Sequence, residues 1–363
     1  MAPDNSLTRW YIDTRHLTAT TSALPLLDTL QPADQETVQK FVHLADRHMS
    51  LASYLLKYLF IHRTCRIPWN EITISRTPKP HQRPCFIPSC RTRADGRAVP
   101  DVEFNVSHQA SVVALAGCVR SPAEGTIDGR ESSVAATPAV FTNPQPSSAP
   151  IPSIPQVGID ITCVDEPSRR RKDSVPTTVE ALADFVDIFA EVFSKRELDT
   201  IKNIPMDSTI RSNPERLQQA IKSRLRLFYA YWALKEAYIK MTGEALLAPW
   251  LRELEFTNVV APEPSSSSSW SEPYTGVQTW LYGKKVEGVR IELVAFEKDY
   301  LVATAARGGQ FGVRRSHCPR EEGSTNVPND DNDDDDPWKD LEPVDIEKDI
   351  TACARGHCHC LDD

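Results

Sequence analysis

A run rich in proline, serine, alanine and threonine over 121–155 cuts this 363-residue chain in two. A segment of that composition has too few large apolar side chains to offset the entropy of ordering it, so folding has to happen on either side of it. It reads as a disordered insertion or linker over 120–156. What remains is a block over 1–119, a block over 157–315 and an acidic stretch over 316–363 that reads as a disordered tail. A serine run at 265–269 reads as a loop. With 40% hydrophobic and 25% charged residues, each block is long enough to bury an ordinary core.

The formal net charge of -9 belongs to the tail. Thirteen acids and three bases lie between Asp330 and Asp363, which leaves the rest of the chain nearly neutral. A neutral body without interleaved basic and aromatic residues argues against a nucleic-acid surface. No stretch approaches the roughly 20 apolar residues of a membrane helix. The opening MAPDNSLTRWYID lacks the basic and apolar regions of a signal peptide, so a cytoplasmic location is expected. Nine irregularly spaced cysteines then read as reduced thiols, none of them marked as catalytic.

In the first block, Phe41, Leu44, Ala45, His48, Leu51, Ala52, Leu55 and Leu59 follow the 3,4 spacing of a helix over 34–61, apolar nearly all round at 55–61. Short strands are expected at 102–106 and 111–116. The second block opens on a strand, Val157-Gly158-Ile159-Asp160-Ile161. Helices are expected over 179–192, after Ser194 and over 214–241, then strands near 253–257, 276–281, 290–296 and 300–305. A major helix with several strands, twice over, is an α+β pattern in duplicate, although no sequence repeat is visible between the blocks.

Three segments carry candidate chemistry. Asp160 lies between Ile159 and Ile161, and a carboxylate in an apolar strand is costly to bury without compensation. It either caps the following turn, pairs with a structural arginine, or holds a ligand; the strand period puts the Thr162 hydroxyl on the same face. In the segment 231–240, helical spacing stacks Trp232, Glu236 and Lys240 on one stripe. Glu236 followed by Lys240 is also the favoured order for a surface ion pair worth about 0.2 to 0.5 kcal/mol. Mg2+ commonly takes one or two carboxylates and fills its other positions with water and phosphate oxygens, so Asp160 and Glu236 are the candidate pair, with Lys235 and Lys240 suited to a pyrophosphate. The third segment, Phe104-Asn105-Val106-Ser107-His108, ends a strand in a hydroxyl and an imidazole suited to phosphate or ribose oxygens. A Ser-His nucleophile is disfavoured there, because strand neighbours point to opposite faces and no Gly-x-Ser-x-Gly elbow is present.

Val157-Gly158-Ile159-Asp160, Phe193-Ser194-Lys195-Arg196-Glu197 and 232–240 (Trp-Ala-Leu-Lys-Glu-Ala-Tyr-Ile-Lys) resemble, in order and separation, the signature blocks of Sfp-type 4'-phosphopantetheinyl transferases, the holo-carrier-protein synthases. Phe104-Asn105-Val106-Ser107-His108 and Arg83-Pro84-Cys85 are similar to the family's upstream blocks. The resemblance implies a monomer of two similar α/β subdomains related by a pseudo-twofold axis, with coenzyme A in the cleft between them. It implies transfer of 4'-phosphopantetheine from coenzyme A to a serine of acyl or peptidyl carrier proteins, with Mg2+, or Mn2+, as cofactor. The carriers would belong to fatty-acid, polyketide or nonribosomal-peptide synthesis, or to lysine biosynthesis. Carried over residue by residue, Asp160 and Glu236 are the metal ligands, Glu236 is the general base, and Lys235 and Lys240 work at the phosphates. Ser107 and His108 contact coenzyme A, while Arg47, Ser50 and Arg83 fall near positions that hold its 3'-phosphate and adenine end. Many relatives carry a second acid two residues after the strand aspartate, where this chain has Thr162.

Two rivals remain open on sequence grounds. One is a metal-dependent hydrolase of the coenzyme A pyrophosphate, the other a non-catalytic carrier-binding module. The tail's Cys353, His357, Cys358, His359 and Cys360 are suitable ligands for a soft metal. Their crowded spacing matches no common zinc module, and after a polyaspartate run they read as a disordered end.

Overall fold

The computed structural model describes residues 6–78, 82–93, 95–120, 154–164, 175–205, 210, 213–244, 248–265, 267–312 and 336–362. Most of the proline-serine run and the polyaspartate stretch lie outside these residues, as does Ser266.

The first block begins with β1 (Leu7–Asp13) and the short α1 (Arg15–Thr20). The helix expected over 34–61 is two helices, α2 (Pro32–Gln39) and α3 (Leu44–Cys65). The apolar spacing runs on through the break, which is why periodicity alone does not reveal it; Pro32 starts α2 and an extended His43 starts α3. α3 ends where Arg66 turns left-handed at φ 52, ahead of Ile67 and Pro68. Its mostly apolar stretch from Leu55 to Ile61 is buried, Lys57 included. After the small hairpin β2 (Ile74–Arg76) and β3 (Pro84–Phe86) come β4 (Asp101–Gln109) and β5 (Val112–Arg120), both longer than their sequence predicts.

The second block has β6 (Gln156–Cys163), α4 (Val179–Asp187), α5 (Lys195–Lys202) and the 29-residue α6 (Pro214–Thr242). β7 (Leu254–Thr257), β8 (Gln278–Leu281) and β9 (Lys284–Lys285) form a small sheet, and β10 (Val289–Phe296) and β11 (Tyr300–Arg307) a hairpin. The molecule is thus a mixed helix-and-sheet protein.

Three strands of each of two sheets follow the same order. In one, β1 pairs antiparallel with β5 and β5 with β4, and α3 packs on β4 and β5. In the other, β6 pairs antiparallel with β11 and β11 with β10, and α6 packs on β6 and β11. Glycine lets each helix approach its sheet. A Cβ on Gly117 would sit 2.6 Å from the Phe60 ring of α3, and one on Gly158 would sit 2.1 Å from the Ala237 carbonyl oxygen of α6.

The two halves join at β4 and β6 without a backbone ladder. Alternate β4 side chains reach across to alternate β6 amides: Ile159 N–H donates to Asn105 Oδ1 at 3.1 Å, Ile161 N–H to Ser107 Oγ at 3.3 Å and Cys163 N–H to Gln109 Oε1 at 3.1 Å. A second junction is ionic. Arg9 of β1 donates to Glu292 of β10 at 2.8 Å, and Arg290 pairs with both Glu292 and Asp336, with Glu292 enclosed between the two guanidinium groups.

The tail departs from its expected disorder. Residues 336–362 fold: β12 (Trp338–Pro343) pairs parallel with β1, followed by helical turns at Ile346–Ile350 and Thr351–Ala354. The acidic composition masks Trp338, Val344, Ile350 and Cys353, which are all buried. Arg9 and Arg290 both lie over the Trp338 ring, and Trp338 donates its indole N–H to the Phe311 carbonyl at 3.1 Å. In the described part of the serine run, the Ser267 and Ser268 N–H groups donate to Ser265 Oγ. No helix among the described residues is long and apolar enough to cross a membrane.

Candidate active site

α6 carries half of the site. Its start is fixed by Pro214 and by Asn213, whose side chain accepts the Glu215 and Arg216 amides, and its end by Gly243 at φ 84. The last turns run against β6 where Gly158 permits close contact, so Glu236 and Lys240, one turn apart, come to Asp160.

Asp160 is 5% exposed, and both of its oxygens accept hydrogen bonds. Its Oδ1 accepts from Ser107 Oγ at 2.9 Å and from Lys240 Nζ at 2.7 Å, and its Oδ2 from Thr162 Oγ1 at 2.9 Å. Ser107 Oγ also accepts from Lys240 Nζ at 2.9 Å. The compensation that a buried carboxylate demands therefore comes from a lysine and two hydroxyls rather than from an arginine or a turn. Lys240 lies in the last turn of α6, where the helix dipole favours a cation.

Glu236 is half-buried beside this cluster, and among the described residues its carboxylate makes no hydrogen bond or ion pair. Burial pushes its pKa up to about 7, helped by the Asp160 charge and opposed by Lys240. The surface ion pair that spacing permits with Lys240 is not formed, because Lys240 turns to Asp160. Two neighbouring carboxylates, one of them unpartnered, with a hydroxyl at Thr162, are a set of hard oxygen donors that fits a divalent cation.

Lys235 is not brought to this cluster. Its side chain is fully enclosed, pairs with Glu197 at 2.9 Å and donates to the Leu251 carbonyl at 3.1 Å and to the Leu254 carbonyl. Successive helix positions lie about 100° apart, so the residue before Glu236 faces the core. Its role at phosphates is corrected accordingly. Glu197 in turn caps α5 in a reciprocal box with Ser194 and accepts the Phe256 amide at 2.8 Å. The block 193–197 thus anchors the half that carries the site.

His108 is exposed, on the face of β4 opposite the enclosed Ser107. Arg83 donates to Glu103 at 2.8 Å and to the Val157 carbonyl at 3.4 Å. Its guanidinium lies against Gly243, three residues beyond Lys240, where a Cβ would stand 3.1 Å away. Arg47 and Ser50 are on the first turns of α3; Arg47 donates to the Phe41 carbonyl at 2.6 Å and Ser50 is buried, and neither is hydrogen-bonded to the Asp160 cluster. Sequence reasoning misses Asn105 and Gln109. Their alternation with Ser107 along β4 is the signal that could have found them.

A model of the family described as "4'-phosphopantetheinyl transferase, N-terminal" matches residues 18–120, and one described as "4'-phosphopantetheinyl transferase superfamily" matches residues 156–305. The chain is 58% identical to 4'-phosphopantetheinyl transferase A of Aspergillus fumigatus and 51% identical to 4'-phosphopantetheinyl transferase NpgA of Emericella nidulans, in each case over 98% of this chain and 96% of the relative. It is 25% identical to the human L-aminoadipate-semialdehyde dehydrogenase-phosphopantetheinyl transferase over 82% of this chain and 72% of the relative. With family matches on both halves and close relatives along nearly its whole length, the chain belongs to the 4'-phosphopantetheinyl transferase superfamily.

Proposed function

We propose that this transferase moves 4'-phosphopantetheine from coenzyme A onto a serine of acyl and peptidyl carrier proteins, releasing adenosine 3',5'-bisphosphate, at the junction of β4, β6 and α6. The observation that carries the assignment is Glu236, half-buried beside Asp160 and unpartnered among the described residues, in a family whose members are transferases of this group. The two halves are read as a duplication related by a pseudo-twofold axis, with coenzyme A in the cleft between them. The matching strand orders of the two sheets support that reading.

Asp160 and Glu236 are the residues that would hold Mg2+, or Mn2+, with the Thr162 hydroxyl in place of a second acid. The cation would supply charge neutralisation at the pyrophosphate. The chain's own residues do the rest. Glu236, with a pKa near neutrality, takes the proton of the carrier serine, directly or through a water, and a base so placed contributes about 10^2 to 10^4-fold. Lys240 donates to the Asp160 carboxylate at 2.7 Å and lies within reach of a departing phosphate. Ser107 fixes both of them by hydrogen bonds. Ser107 and His108 are assigned to coenzyme A, and Arg47, Ser50 and Arg83 to its 3'-phosphate and adenine end. A cytoplasmic monomer serving several carrier types completes the proposal.

The test is intact-mass spectrometry of an apo carrier protein incubated with this protein, coenzyme A and Mg2+. A carrier heavier by one phosphopantetheine, and unmodified when a chelator is present, supports the proposal. Consumption of coenzyme A with the carrier left unmodified would establish the hydrolase instead.

A further inference from the structure

A second cluster, separate from that of Asp160, forms where the tail meets α3. His62 near the end of α3 and Cys353, Cys358 and Cys360 of the tail place one ligand atom each within 4.8 Å of one another. Cys353 Sγ lies 3.6 Å from Cys360 Sγ, and His62 Nε2 lies 3.1 Å from Cys358 Sγ. In a tetrahedron with Zn–S near 2.3 Å and Zn–N near 2.0–2.1 Å, ligand atoms stand about 3.5 to 3.8 Å apart, so the observed spacings fall around those edges.

The orientation of the imidazole is the second observation. His62 Nδ1 is 2.7 Å from the Ile67 carbonyl, which can only accept, so the proton sits on Nδ1 and the Nε2 lone pair faces the thiols. A backbone carbonyl on the far nitrogen is the usual support of a metal-bound histidine. The tail also sorts its candidates. Cys353 is buried and Cys358 and Cys360 are half-buried, whereas His357 and His359 are exposed and His359 pairs with Asp362 at 2.7 Å. All three thiols are free. A pocket of 280 Å³ lined by His62, Trp69, Cys353 and Cys358 opens onto the cluster and provides a way in.

We propose that His62, Cys353, Cys358 and Cys360 form a structural zinc site that fastens the folded tail to α3. Three thiolates and one imidazole are soft and borderline donors that select zinc over the hard cations suited to Asp160 and Glu236. Four protein ligands leave no open position, which marks the site as structural rather than catalytic. The fastening matters because the same tail carries β12 and Asp336, which complete the sheet edge at β1 and the ion pairs between the two halves. Zinc binding displaces the thiol protons, which leave to solvent as the Zn–S bonds form.

The test begins with full-length protein purified without chelator from zinc-supplemented culture, its metal counted by mass spectrometry and its zinc released with a mercurial thiol reagent. Wild type and His359→Ala should each carry about one zinc per chain, and Cys358→Ser and His62→Ala less than about a tenth of that. Because a variant can lose metal by misfolding, cobalt(II) is also titrated into chelator-treated wild type. Intense visible bands of a tetrahedral thiolate site, bleached by one equivalent of zinc, are expected. Wild type that carries no zinc and gives no cobalt bands would overturn the site. So would zinc that persists in both Cys358→Ser and His62→Ala, or a Cys353–Cys360 disulfide found by peptide mapping in metal-free protein that no longer takes cobalt after reduction.

Discussion

Lys235 and Lys240 lie on one helix, five positions apart, and each pairs with an enclosed carboxylate, yet their surroundings differ in one decisive respect. The Lys235 ammonium uses all three of its protons on Glu197, Leu251 and Leu254, and Glu197 accepts the Ser194 and Phe256 amides besides. Both side chains of that pair are 0% exposed. The Lys240 side chain is 26% exposed, and beside its pair with Asp160 stands a carboxylate, Glu236, with no partner among the described residues. A closed cluster can only hold the fold together. An open one retains charge that a substrate or cation can satisfy.

Substitutions can break this contrast. The largest effect expected is on turnover: Glu236→Gln should lower the transfer rate by about 10^3-fold with little change in melting temperature, measured by single-turnover transfer beside calorimetry. Next comes Lys235→Met, which leaves Glu197 enclosed and unpaired and should cost about 3–5 kcal/mol in urea unfolding. Pairing it with Glu197→Leu removes both charges, and the double variant should recover most of that loss; if it does not, the pair contributes more than its own compensation. The smallest effect is with pH. The folded pKa of Glu236, about 7, lies above its ordinary value of 4.5. Its stabilising contribution is thus complete below 4.5 and lost as pH rises through about 7. Urea unfolding in the presence of a chelator should show that decline in wild type and a flatter profile in Glu236→Gln.

Much of this arrangement is legible in the sequence. A carboxylate between two isoleucines requires compensation, and a helix with Glu236 and Lys240 one turn apart supplies it. The place of Lys235 is not legible, because adjacency in a motif suggests a shared role, whereas a helix turns neighbours to different sides. The order of the tail is hidden for another physical reason. Composition averages hide Trp338, Ile350 and Cys353 among acids, and the charge of Asp336 is matched by Arg290, remote in sequence. His62, some 290 positions before Cys353, shows no link to the tail by spacing; only the fold brings them together. The bridge of Asn105, Ser107 and Gln109 to β6 shows in the sequence only as polar side chains alternating along β4, and a period of two does not say that they reach another strand.

The most direct test compares the two clusters in one assay: intact-mass analysis of an apo carrier protein with coenzyme A and Mg2+, using Glu236→Gln beside Glu197→Leu/Lys235→Met. The account predicts a folded Glu236→Gln that leaves the carrier unmodified and a double variant that still loads it. A Glu236→Gln enzyme that loads the carrier at the wild-type rate, or a folded double variant that cannot, would contradict it.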